Sequence, residues 1–397
     1  MFTGPSIYKF CTISCFCVVI LSGLVFAQVD FRQHDLPLDA DRAWDICTAD
    51  IDGDGDEDFL TTGESPGFFV WYEVDEEGDY IEHIFHEEAD GACSIRAADI
   101  DGDGDMDITG SARGVGDAWW WENDGEQNFE AHILSEDFDN NSWMRPIDLD
   151  GDGDMDIVGS TRISSLLWWE NDGEQNFDEQ IIDGQFGGSI EIIDFDGDED
   201  LDITCGDWSQ ATVRWYENDG EQNFEPHQIG DHGGVWDVYP ADFDADGDMD
   251  ITSVGERDQL VIWWENGGDD NFERHDIEAN MLGTGVHVGD LDVDGDSDII
   301  VAAYNPGIVK WYENDGEGNF EIHIVGDNFN SAMQAYASDV DFDGDLDVMA
   351  AAWSGEGARW WENTLDPVPP EPEIDPNPFE VDVPFPLDDE NIMTITN

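Results

Sequence analysis

The residues with the clearest chemical potential in this 397-residue chain are aspartates. A nine-residue pattern with aspartate at every second position recurs seven times. Its copies are Asp50, Asp52, Asp54, Asp56 and Asp58; Asp99, Asp101, Asp103, Asp105 and Asp107; Asp148, Asp150, Asp152, Asp154 and Asp156; and Asp194, Asp196, Asp198, Asp200 and Asp202. The remaining three are Asp242, Asp244, Asp246, Asp248 and Asp250; Asp290, Asp292, Asp294, Asp296 and Asp298; and Asp339, Asp341, Asp343, Asp345 and Asp347. Carboxylates at positions 1, 3, 5 and 9, with a main-chain carbonyl at position 7, are the donor set of a hard-cation loop. With no histidine or cysteine among them, the loops suit calcium over zinc or copper, and up to seven structural calcium ions are expected.

Electrostatics supports that expectation. Five aspartates in nine residues crowd like charges at distances where each pair costs on the order of 1 kcal/mol even in water. Uncompensated at every copy, the repulsion would offset much of a typical stability of roughly 5–15 kcal/mol. A solvated acidic turn explains one isolated match, but not a set in register. Position 6 is glycine (Gly55, Gly104, Gly153, Gly247, Gly295, Gly344) except in the fourth loop, where Glu199 makes metal binding the least secure.

The loops must be held by repeating elements. Their starting points are 49, 49, 46, 48, 48 and 49 residues apart, the mark of a repeat architecture. Each unit reads as four short strands; in the second, CSIRAA leads into the loop, followed by ITGSAR, WWWEN, a DGEQ turn and NFEAHIL. Adjacent aromatics such as Trp120 and Trp121 point to opposite faces of a strand, so both faces of each sheet are buried, as in a blade packed between two others. After the seventh third strand, RWWEN, no fourth strand follows. Its pattern appears instead at Phe31–Leu36, FRQHDL, close to FERHDI at 272–277. A strand displaced to the other end of the chain is what circular closure requires. The sequence therefore predicts an all-β, seven-bladed propeller of four-stranded antiparallel blades, the N-terminal strand completing the last blade; an open solenoid would not need the displacement.

The formal charge of −86 excludes general nucleic-acid binding and electrostatic docking to anionic membranes. Residues 1–27 read as a secretory signal peptide, with Lys9 ahead of an apolar run and Ala27 at the cleavage point, so the expected location is secreted or cell surface, without membrane insertion after cleavage. The propeller is assigned to 28–363, a proline-rich linker to 364–378, and the start of a truncated immunoglobulin-like module to 379–397. Cys47, Cys93 and Cys205 remain after cleavage, an odd number, so disulfides are not the main stabiliser.

The region from 31 to 363 resembles the FG-GAP/VCBS repeat proteins, whose relatives include integrin α-subunit propellers. The resemblance rests on the loop pattern, for example Asp99 to Asp107 followed by the apolar Ile108. It implies a calcium-loaded, exported, seven-bladed binding protein with its metal loops between strands 1 and 2. Two departures stand out: every blade carries the loop, and the literal FG and GAP spellings are absent, so integrin-type ligand recognition is not carried over.

On the face away from the loops two positions vary in chemistry between repeats. Three residues before each loop stand Cys47, Arg96, Arg145, Glu191, Tyr239, His287 and Tyr336; six residues after it stand Glu64, Arg113, Arg162, Trp208, Glu256, Tyr304 and Trp353. Residues packing between blades have no reason to be so mixed, which points to a ligand site near the central channel. Arg96, Arg113, Arg145 and Arg162 form a cationic group in a polyanion and suit a carboxylate or sulfate, whereas charge compensation alone is the competing explanation. Trp208 and Trp353 are candidates for stacking on sugars. The twelve tryptophans of the third strands are core, and the recurrent fourth-strand histidines are expected to pack or hydrogen-bond.

The reading is a monomeric, non-catalytic binding or adhesion module for an extracellular acidic glycan or protein ligand. A rigid spacer in a larger surface protein ranks second. A calcium-dependent polysaccharide lyase ranks third, with His287, Tyr239 or Tyr336 as acid and base and Arg96 or Arg145 neutralising a uronate.

Overall fold

A computed structural model describes residues 29–37, 42–75, 78–138, 142–162, 165–268, 271–355 and 357–365. The expected signal peptide, the module at 379–397 and all of the linker beyond Leu365 lie outside the described residues. Among the described residues, twenty-eight strands run from β1 (Phe31–Asp35) to β28 (Ala358–Asn363), arranged as seven four-stranded antiparallel sheets. Six sheets follow chain order, beginning with β2 (Ala43–Ala49), β3 (Asp58–Gly63), β4 (Phe68–Val74) and β5 (Tyr80–Glu87). The seventh has the order β1, β28, β27 (Asp347–Ala352), β26 (Ala332–Ser338). β1 pairs along its whole length with β28, from Phe31 opposite Asn363 to Asp35 opposite Arg359. The ring is closed by its first strand.

Packing explains why the blades adopt this form. Strand 1 of each blade carries a small or apolar residue four places before the loop (Ile46, Ile95, Met144, Ile190, Val238, Val286, Ala335), and all seven are buried against a neighbouring blade. Adjacent third-strand aromatics are buried on both faces, Trp120 at 2% and Trp121 at 1% exposure. On the outer strand a histidine lies over the third-strand tryptophan in six blades, with ring centroids 4.3–4.7 Å apart (His34, His83, His132, His227, His275, His323). Its Nε2 meets a third-strand glutamate at 2.6–3.2 Å. These histidines are packing and hydrogen-bonding groups.

A buried asparagine ends the third strand in every blade except the first, where Val74 stands. Asn314 Nδ2 donates to Ser297 O of its own loop at 3.1 Å and to Phe243 O of the preceding blade's loop at 2.7 Å, while its Oδ1 accepts from Gly316 N at 3.3 Å. Asn123 and Asn363 make the same reach to Ile51 O and Leu291 O. At these three boundaries the aspartate loops of neighbouring blades are thus fastened by a side chain whose donors and acceptor are all used.

Candidate functional site

The loops have a common architecture. Position 9 serves as a clip: one carboxylate oxygen accepts the position-2 N–H at 2.9–3.1 Å, and the other accepts the N–H of the residue ending strand 3 at 2.7–3.1 Å. Burial raises most of these aspartates, as it does Asp58 and Asp107, to about 7. Position 1 accepts the N–H of position 6, as between Gly55 and Asp50 at 3.2 Å. Glycines at position 6 have φ of 98–102°, in the left-handed region where a side chain is strained. Glu199 takes φ 78° there and makes the same bond to Asp194, at 3.1 Å, so the fourth loop closes like the others despite lacking glycine.

These residues fit a hard divalent cation. Carboxylate oxygens of Asp50, Asp52 and Asp54, and of Asp99, Asp101 and Asp107, lie within 4.8 Å of one another. Asp50 Oδ1, Asp292 Oδ1, Asp339 Oδ1 and both oxygens of Asp345 are buried without a hydrogen-bond donor. A buried acceptor with no partner is costly, and a hard cation would supply what the protein does not. The position-7 carboxylates of Asp105, Asp154 and Asp200 instead lie against turn glycines Gly125, Gly173 and Gly220.

The two variable series form two cavities at the ring's centre. One, of about 210 Å³, is lined by Arg96, Arg145, Glu191, Tyr239, His287 and Tyr336. Six of the seven residues three places before the loops therefore converge, although strand spacing alone does not show His287 meeting Arg145. His287 lies between Tyr239 and Tyr336, with centroids at 4.7 and 4.5 Å. Burial, and then the charges of Arg96 and Arg145, hold it down at about 3, hence neutral. Both arginines are engaged: Arg96 Nη1 bonds Asp45 Oδ2 at 2.7 Å, and Arg145 Nε bonds Glu191 Oε2 at 3.2 Å. Cys47, the seventh member, is buried, and desolvation pushes its thiol up to about 12. It is a free thiol, as are Cys93 and Cys205.

The other cavity, about 450 Å³, is an aromatic cup lined by Arg113, Arg162, Trp208, Glu256, Tyr304 and Trp353 from the second series, together with Trp44, Trp236, Leu282, Thr284 and Met333. Arg162 is held between Trp208 and Trp236, its guanidinium carbon 4.1 and 4.0 Å from their rings. Arg113 covers Trp44 at 4.6 Å, and Arg257 covers Trp208 at 4.1 Å. Glu64 does not line the cup but secures it, accepting from Arg113 and from the Trp353 indole. Glu256 accepts from Trp208 Nε1 at 2.8 Å and lies 3.6 Å from Arg162. Burial, with like charges on Arg113 and Arg257 nearby, draws Arg162 down to about 10, and its Nε has no acceptor. The Trp236 indole N–H is likewise buried without one.

Trp44 and Trp236 come from blades 1 and 5 and meet across the channel, with centroids 6.1 Å apart. The four arginines that looked like one group thus fall in two places, Arg96 and Arg145 in the inner chamber and Arg113 and Arg162 in the cup. Sequence reasoning missed Trp44, Trp236, Leu282, Thr284 and Met333. At Trp44, Trp236, Thr284 and Met333 the pairing of strand 1 slips by one residue, between Ala43 and Ile46, Val235 and Asp237, Gly283 and Gly285, and Ala332 and Ala335. Such a bulge re-aims a side chain that strict alternation would place between blades. A usable signal was present: of the five tryptophans outside the third strands, four (Trp44, Trp208, Trp236, Trp353) line the cup.

Fold and loops together define a closed seven-bladed β-propeller with an aspartate loop in every blade. The chain belongs to the FG-GAP-like repeat family, whose sequence profile matches residues 50–109, 108–159, 194–253 and 290–350. No curated protein matches it. Among solved structures it is similar to a lectin of Agrocybe aegerita described as recognising non-reducing terminal N-acetylglucosamine, with 20% identity over 81% of this chain and 85% of that one and a TM-score of 0.55. It is also similar to BBS1N in complex with ARL6DN, at 12% identity over 86% of this chain and 98% of that one, with a TM-score of 0.60. At these identities the likeness is one of fold.

Proposed function

We infer that the protein is an exported, calcium-stabilised, non-catalytic binding module whose cup takes a carbohydrate bearing a carboxylate or sulfate. The observation that carries the reading is the Arg162 guanidinium clamped between Trp208 and Trp236 with its Nε hydrogen unused. Tryptophan and tyrosine faces suit sugar rings, and an arginine crowded by other arginines is relieved by an anion. A glycan-binding lectin and a protein-binding complex among the propellers of similar fold agree with a binding role. In the loops, positions 1, 3, 5 and 9 would hold calcium, which supplies neutralisation and cross-linking of the turn.

The test is a calcium-replete binding screen of neutral, uronate-containing and sulfated glycans. An acidic glycan should bind, and Trp208→Ala or Arg162→Ala should weaken it at least tenfold, as expected for losing a contact of about 1.4–3 kcal/mol. No binding across the panel, or binding by both variants as tight as that of wild type, would overturn the reading.

A second reading, a polysaccharide lyase, draws on His287, Tyr239 and Tyr336 gathered beside Arg96 and Arg145. A neutral histidine next to arginines could abstract a proton alpha to a neutralised carboxylate. Asp45 and Glu191 already engage those arginines, which ranks this reading second. Ultraviolet-absorbing unsaturated products released from acidic polysaccharides would reverse the order.

A further inference from the structure

The outer strands carry a regularity with one exception. Six blades place histidine over the third-strand tryptophan and tie it to a third-strand glutamate, as His132 does with Trp120 and Glu122. Blade 3 keeps the tryptophan and the glutamate, Trp168 and Glu170, but places Gln180 opposite Trp168. The Gln180 amide turns away to Asp178 Oδ2, at 3.2 Å, and the Glu170 side chain has no partner among the described residues. At this point a cavity of about 320 Å³ opens between blades 3 and 4, with Trp168, Glu170, Gln180, Ile181 and Ile182 on one side and Gln222 and Phe224 on the other. Ile181 at its lip is 67% exposed, the most exposed large apolar side chain among the described residues.

We propose that this cavity is a socket for the guanidinium or imidazolium group of a basic polypeptide segment. The other blades show what the constellation holds: a planar nitrogen donor against tryptophan, with a carboxylate to receive its N–H. In blade 3 the chain does not provide that donor. Glu170 supplies the charge complement, Trp168 and Phe224 supply aromatic walls, and Ile181 and Ile182 offer apolar surface for the methylene stem of an arginine. A chain of net charge −86 attracts cationic partners, and a forked donor fits a carboxylate better than the point charge of lysine. This proposal stands apart from the cup, which lies at the ring's centre and is lined by arginines.

The experiment is a calorimetric titration of calcium-loaded protein with a blocked hexapeptide containing two arginines, alongside the same peptide with lysines. Gln180→His should fill the socket with the chain's own imidazole, as six blades already do, and Glu170→Gln should remove the charge without changing the shape. Both variants are expected to weaken the arginine peptide at least tenfold, while the lysine peptide binds wild type several-fold less well than the arginine one. An unchanged melting temperature in Gln180→His would establish that the fold is intact; if that variant fails to fold, Glu170→Gln decides alone. Equal binding of the arginine peptide by wild type and Glu170→Gln, or no preference over lysine, would reduce the attraction to diffuse charge and overturn the proposal.

Discussion

Replacing Asn314 by alanine removes a fastening between two blades, and its cost follows from the bonds it makes. The side chain is 1% exposed and satisfies Phe243 O, Ser297 O and Gly316 N. Alanine leaves two carbonyls and one amide without partners in a buried place. At roughly 1 kcal/mol net for each bond, and more where water cannot enter, the loss is about 3–4 kcal/mol. Asn171 is the internal control. It donates to Met155 O at 3.1 Å and accepts from Gly173 N at 3.2 Å, with no bond to the preceding blade. Its replacement by alanine should cost about 2 kcal/mol, so the difference isolates the cross-blade bond at about 1–2 kcal/mol. Urea unfolding in calcium, followed by tryptophan fluorescence and circular dichroism together, measures both, and an unchanged slope keeps the comparison valid. Equal losses in the two variants, or a loss below about 0.5 kcal/mol for Asn314→Ala, would refute the fastening argument.

Three further outcomes are expected. Excess chelator should lower the melting temperature steeply, since each site at ~10 to 100 times its dissociation constant adds about 1.4–2.7 kcal/mol, and an unchanged melt would remove the metal from the account. His232 is fully buried, bonded through Nδ1 to Ser253 Oγ at 2.9 Å, and burial holds it down at about 4. Because the unfolded chain takes up this proton near pH 6.5 and the folded one does not, wild type should lose about 3 kcal/mol relative to His232→Gln between pH 6.5 and 4; parallel stability curves for the two proteins would contradict this. Deleting residues 29–36 removes Leu36, 6% exposed, the His34–Trp360 stack and the partner of β28, and should destabilise the fold by on the order of 5 kcal/mol, with recovery when a peptide of residues 28–37 is added; an unaltered melting profile would mean that the seventh blade stands without it.

The period, the loops, the paired tryptophans and the closing strand were all legible because each repeats, or conspicuously fails to repeat, at a fixed offset. The same logic named two series of seven residues, and six members of each line a cavity, one series the inner chamber and the other the cup. What it could not supply was phase within strand 1. Trp44 and Trp236 stand two places from interblade residues Ile46 and Val238, so alternation assigns them to the packing face; only the slipped pairing with strand 2 turns them inward. Ion pairing was equally hidden. Arg113 and Glu64, like Arg145 and Glu191, are more than forty residues apart and meet across blade boundaries, which no local pattern encodes. The asparagine buckles were visible as a recurrent letter, but their role depends on which carbonyl of a neighbouring blade comes within reach.

The closure between β1 and β28 carries a mechanical consequence. Phe31 is opposite Asn363, and Thr364 N bonds Asp30 O at 2.9 Å, so the polypeptide enters and leaves the wheel side by side. Tension applied between residues 30 and 364 would load the rungs of this antiparallel ladder one after another, peeling it like a zipper rather than straining all of them in shear. A wheel joined in this way would yield to traction at its seam before its other blades open, a geometry better suited to holding a partner than to bearing tension.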